Sequence, residues 1–114
     1  MMVDIGKEIL EKLGYDVFTA LNGTEAIRLF KKYKTKIDLV ILDMIMPDMS
    51  GSETFDNLKT CEADIKVLLS SGYSVDGQAT EILERGCNGF IQKPFNLKQL
   101  SRKIRQILDG VTDN

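Results

Sequence analysis

Asp43, Ser71 and Lys93 each stand where a short, largely apolar run stops. Ile37-Asp38-Leu39-Val40-Ile41-Leu42 leads into Asp43, Ile65-Lys66-Val67-Leu68-Leu69-Ser70 into Ser71, and Gly89-Phe90-Ile91-Gln92 into Lys93. A carboxylate, a hydroxyl and an ammonium in one crevice fit phosphoryl transfer onto the carboxylate. Asp43 would be the in-line nucleophile and become an acyl phosphate. Lys93 and the Ser71 hydroxyl would bind oxygens of the incoming group, where negative charge gathers. Taken singly, each residue has a plainer use. A strand-end aspartate caps a loop, Ser71 before Gly72 is turn chemistry, and Lys93 before Pro94 is a solvated charge. Their shared place at the ends of apolar runs argues for the chemistry.

For the three to meet, their runs must be parallel strands whose carboxyl ends share one edge, the edge at which open α/β sheets bind ligands. The intervening residues predict that arrangement. Val3, Ile9, Leu10 and Leu13 recur at helical spacing and Gly14 closes that helix. Asp16-Val17-Phe18-Thr19-Ala20 reads as a short strand turned by Asn22-Gly23. Asn22 with Glu25 resembles a capping box for a helix that turns Ala26, Ile27, Phe30 and Tyr33 inward. Ser50 and Glu53 open a helix through Leu58, and Ala79, Ile82 and Leu83 mark one closing at Gly86. Leu97, Leu100, Ile104 and Ile107 form the stripe of a last amphipathic helix. Strict alternation of strand and helix implies an α/β fold: a parallel sheet, right-handed crossovers and helices on both faces.

The 114 residues are read as a single domain, 1–114, with about 109–114 a frayed tail. At 43% hydrophobic and 28% charged, the composition is that of a globular chain. A net charge of −2 without a basic cluster argues against nucleic acid or an anionic membrane as partner. No apolar run approaches the ~20 residues of a membrane span, and no signal pattern opens the chain. Cys61 and Cys87 lack metal spacing and read as reduced thiols of a cytoplasmic protein. With no histidine in the sequence, imidazole catalysis and histidine metal ligation are excluded. A nucleotide- or flavin-binding domain fits the element order, but no Gly-rich phosphate loop follows any strand.

On these motifs the chain resembles the receiver domain of two-component response regulators over essentially its whole length. The pieces are Leu42-Asp43-Met44-Ile45-Met46-Pro47 with Gly51, Ser70-Ser71-Gly72-Tyr73, and Gly89-Phe90-Ile91-Gln92-Lys93-Pro94-Phe95. The resemblance implies a flavodoxin-like, doubly wound parallel sheet. It makes Asp43 the phosphoacceptor, Ser71 the switch hydroxyl, Lys93 the phosphate-binding lysine and Phe90 the aromatic switch residue. It also implies a cis bond before Pro94. Mg²⁺ would be held by Asp43, the main-chain carbonyl of Ile45 and an acidic pair. The phosphoryl donor would be a histidine kinase or a histidine phosphotransfer domain. The wording of the second and third motifs resembles the C-terminal receiver of hybrid sensor kinases. Such a domain is no enzyme in the ordinary sense: at most it catalyses its own phosphorylation and dephosphorylation.

The family begins with a strand followed at once by the acidic pair, whereas this sequence begins where the first helix should. Asp4 lies inside the helical stretch and serves better as a first-turn acid favourable to the helix dipole. In the family's strand order 2-1-3-4-5 the absent strand is central, between 16–20 and 37–42. Losing roughly four or five buried aliphatic residues at ~1.5–3 kcal/mol each costs about the whole ~5–15 kcal/mol of a small domain. Three remedies are expected. The 16–20 strand closes up against 37–42, two chains form a homodimer by strand swapping or edge pairing, or the sequence is part of a longer chain. Without the acidic pair, Mg²⁺ binding is expected to be weak or absent and phosphoacceptance impaired. The alternative function is a phosphorylation-independent interaction or self-assembly module.

Overall fold

The computed structural model describes residues 10–20, 22–44, 50–72 and 77–110. Val3, Asp4 and Ile9 lie outside them. Residues 10–12 are helical, and the helix stops through two bonds at its end. Gly14 N–H donates to Glu11 O at 3.0 Å and Tyr15 N–H to Leu10 O at 3.1 Å. That pair of bonds needs a left-handed residue at the first position past the helix, and Gly14 supplies it with φ 92°.

The α1 helix (Gly23–Tyr33) starts at Asn22, whose side chain accepts the Glu25 N–H at 2.8 Å. A 3₁₀ turn (Lys34–Lys36) leads toward β1 (Val40–Asp43). Ser50 caps α2 (Gly51–Cys61) by accepting the Glu53 N–H at 3.1 Å. Then come β2 (Val67–Ser71), α3 (Gly77–Glu84) and β3 (Gly89–Gln92). The last helix, α4 (Leu97–Leu108), opens on a full capping box in which Asn96 and Gln99 satisfy each other's backbone N–H. Asp109 and Gly110 close it through bonds to Arg105 O and Ile107 O.

β1, β2 and β3 form a parallel sheet in that order, with Asp43 level with Ser70 and Ser71 level with Gln92. Alternation along the strands divides the core between the two faces. Val40, Leu42, Val67 and Leu69 pack with Phe30, Phe55, Leu58, Ala79 and Ile82 beneath α1, α2 and α3. Ile41, Leu68 and Ile91 pack with Leu10, Leu100, Ile104 and Ile107 beneath α4. The α/β architecture is as expected, with helices on both faces of a parallel sheet.

One expectation is corrected. Residues 16–20 form no strand, and β1 pairs only with β2 among the described residues. A strand exists through its ladder, and no strand among the described residues pairs with this one. Its segment is held by side chains instead. The Phe18 and Tyr33 rings stack at 4.5 Å between centroids, and Arg105 donates to the Tyr15 hydroxyl at 3.4 Å. These anchors hold residues 15–18 off β1, so closing up is not the remedy adopted.

Candidate functional site

The carboxyl end of the sheet gathers the polar residues. Asp43 ends β1, Ser71 ends β2, and Lys93 directly follows β3. Because β1 and β3 flank β2 at ~4.8 Å per strand spacing, a long side chain is needed to cross between them. Lys93 does so: its Nζ lies 2.5 Å from Asp43 Oδ2. The lysine is anchored from below, since its backbone N–H donates to Ser71 O at 2.7 Å. The two charged side chains keep 33% and 24% of their surface exposed, so the pair is partly open to solvent. This is a charge-assisted hydrogen bond in a partly desolvated place, stronger than a neutral one. Ser71 is buried at the same edge, and the Lys93–Pro94 peptide bond is cis.

Gly51 fixes where Asp43 ends. Its N–H donates to Met44 O at 3.1 Å, joining the start of α2 to the exit of β1. A Cβ at Gly51 would lie 2.9 Å from Met44 Cα and 3.2 Å from Asp43 O. The backbones therefore touch where only glycine fits. The motif places this glycine correctly, but nothing in the sequence says what it touches.

Phe90, level with Leu69, is half-buried and packs against the core beneath α2 and α3. It sits one strand position below the polar cluster. Ile45 lies outside the described residues, as does Asp4. Sequence reasoning missed Ser70. It is level with Asp43, 2% exposed, and its hydroxyl has no hydrogen-bond partner among the described residues. The signal was there: a second serine inside an otherwise apolar strand.

Cys87 is a poor nucleophile. It and Cys61 are free thiols. Burial pushes the Cys87 thiol up, and its sulfur donates to Val67 O at 3.3 Å.

Mg²⁺ demands near-octahedral oxygen ligation. Among the described residues no three acidic, cysteine or histidine side chains gather, and Asp43 already engages Lys93. The described residues do not by themselves make a magnesium donor set. No helix among them is long and apolar enough to cross a membrane.

Comparison with known proteins shows the family. The model of the response regulator receiver domain matches residues 1–105. The sensor kinase CckA of Brucella abortus is 34% identical over 91% of this chain, which spans 11% of that kinase. Sporulation initiation phosphotransferase F of Bacillus subtilis is 31% identical over 89% of this chain and 80% of its own length. The chain spans less than half of the probable transcriptional regulators it also matches. Among solved structures, the CheX–CheY–BeF3–Mg complex of Borrelia burgdorferi superposes with a TM-score of 0.85 at 25% identity. That match covers 90% of this chain and 78% of the solved one.

Proposed function

The chain belongs to the response regulator receiver domain family of two-component signalling, and we propose that Asp43 is its phosphoacceptor, with Lys93 and Ser71 as phosphate-binding residues. The observation that carries this reading is the Lys93–Asp43 contact at 2.5 Å over the end of β2. A histidine kinase or histidine phosphotransfer domain in the cytoplasm supplies the phosphoryl group, since this chain has no histidine. One Asp43 carboxylate oxygen forms the bond to phosphorus as the phosphorus–nitrogen bond of the phosphohistidine breaks. The electron pair leaves with the imidazole, which takes up a proton. Lys93 shifts from the carboxylate to a phosphoryl oxygen, and the Ser71 hydroxyl donates to another. Phe90, on the neighbouring strand β3, is proposed to move with Ser71.

Receivers bind Mg²⁺, which supplies positive charge at the phosphoryl oxygens. The described residues offer no cluster of acidic side chains to hold it. Phosphorylation of these 114 residues alone is therefore proposed to be slow. Incubation with acetyl phosphate and Mg²⁺, followed by intact-mass measurement, tests the reading. A partial adduct is expected for the wild type and none for Asp43→Asn. A rapid, stoichiometric adduct overturns the impairment, and an adduct that persists in Asp43→Asn overturns the acceptor.

The outer edge of β1, which pairs with no other strand among the described residues, favours a second reading, an interaction module independent of phosphate. Beryllofluoride with Mg²⁺ separates the two. Amide shifts confined to Asp43, Ser71 and Phe90 favour the receiver, and silence favours the module.

A further inference from the structure

We propose that Ser70 is a reserve hydrogen-bond donor to the Asp43 carboxyl group, engaged when Lys93 moves to a phosphoryl oxygen. The inference rests on the reading of Asp43 as phosphoacceptor and adds a positioning residue to it.

The sheet puts Ser70 on the face that Asp43 uses. Ile41 and Leu68 are level with each other and both pack beneath α4. Asp43 and Ser70 come two residues later on the same two strands, are again level, and so share that face. On its other side Ser70 is level with Ile91, which also packs beneath α4. Lys93 follows Ile91 by two residues, and its ammonium crosses to Asp43 over the end of β2. Ser70 therefore has the carboxylate on the neighbouring strand and the ion pair just beyond it.

The hydroxyl is buried and has no hydrogen-bond partner among the described residues. A hydroxyl buried unpaired costs free energy that a partner would recover. The charged groups at its end of the strand, Asp43 and Lys93, are engaged with each other at 2.5 Å. An ammonium is the stronger donor, so the serine is left out while Lys93 is in place. Its hydroxyl turns about one torsion between three staggered rotamers. Across a strand spacing of ~4.8 Å it can swing toward Asp43 without backbone movement.

When the phosphoryl group arrives, Lys93 follows the new negative charge, and the carboxyl oxygen it held loses this donor. The Ser70 O–H then donates to that oxygen. No proton is transferred: one hydrogen bond replaces another. Because the buried hydroxyl gains its partner only in this state, Ser70 favours it over the resting one and keeps the Asp43 carboxyl group from turning.

A double-mutant cycle in urea tests this without phosphate. In the wild type, Ser70→Ala should leave the midpoint unchanged or raise it. In Lys93→Met, where the carboxylate has lost its ammonium, Ser70→Ala should weaken the folding equilibrium by roughly fivefold or more, the factor of one hydrogen bond. In that background Ser70→Thr, which keeps a hydroxyl, should be more stable than Ser70→Val, which has the same shape without one. With Lys93 present that order should vanish. The carboxyl-carbon resonance of Asp43 should move between Lys93→Met and the double variant, but not between the wild type and Ser70→Ala. In protein saturated with beryllofluoride and Mg²⁺, Ser70→Ala should move it. An equal effect of Ser70→Ala with and without Lys93 overturns the proposal, as does a beryllofluoride-bound Asp43 resonance that ignores the substitution. A wild type that fails to bind beryllofluoride counts against the acceptor reading instead, and the urea cycle decides Ser70 in either case.

Discussion

Lys93 Nζ and Asp43 Oδ2, fifty residues apart in sequence, meet at 2.5 Å over the end of β2, where Ser71 O accepts the Lys93 N–H. A charge held by its own backbone to the neighbouring strand can leave the carboxylate for a phosphoryl oxygen without leaving the crevice. The consequence is functional more than structural.

Lys93→Met should change stability little. The pair is a quarter to a third exposed, and such pairs contribute about 0–1 kcal/mol. Binding of beryllofluoride, or phosphorylation by a competent donor, should fall by roughly tenfold or more. Urea denaturation and a fluoride titration on the same samples check both halves.

Gly51→Ala should destabilise by about 1–3 kcal/mol, because the added methyl meets backbone at 2.9 Å from Met44 Cα. Backbone at a strand exit yields less readily than a side chain. Amide shifts should move at Asp43 and Met44, which two-dimensional NMR would show. An unchanged urea midpoint would contradict the contact.

Ser70→Ala should be neutral or stabilise by up to about 1 kcal/mol, since it removes a buried hydroxyl that lacks a partner among the described residues. Ser71→Ala, one residue on, should instead weaken beryllofluoride binding. A Ser70→Ala protein with a clearly lower urea midpoint would mean that this hydroxyl has work in the fold.

Cys87 should make stability fall at alkaline pH. Burial holds its thiol above the ordinary value, so the folded state keeps a proton that the unfolded chain loses first. The contribution is full below the ordinary thiol pKa and disappears as pH rises through the raised one. Urea denaturation from pH 7 to 10 should show the wild type losing more stability than Cys87→Ala over that range.

Ile104→Ala should cost about 2–5 kcal/mol, because Ile104 is 2% exposed in the core beneath α4. Thermal melts of the wild type and Ile104→Ala measure that cost.

Much of the fold could be read from local signals. Asn22, Ser50 and Gly14 mark helix ends by chemistry that acts within a few residues, and each makes the bond its position predicts. The apolar runs before Asp43 and Ser71 become buried strands because burial on both faces demands that composition. Parallel direction then follows from the alternation of elements, and with it the shared edge.

What tertiary structure decided are the relations between distant segments. Asp16-Val17-Phe18-Thr19-Ala20 has a strand's composition and yet is no strand, because strand formation depends on a neighbour's amides rather than on its own residues. Ser70, not Ser71, is level with Asp43, since register is set by the pairing of β1 with β2. The closeness of Lys93 to Asp43 needed three strands in order. Local preference is written residue by residue along the chain, but a ladder, a register and an ion pair across a sheet exist only once separate segments have met.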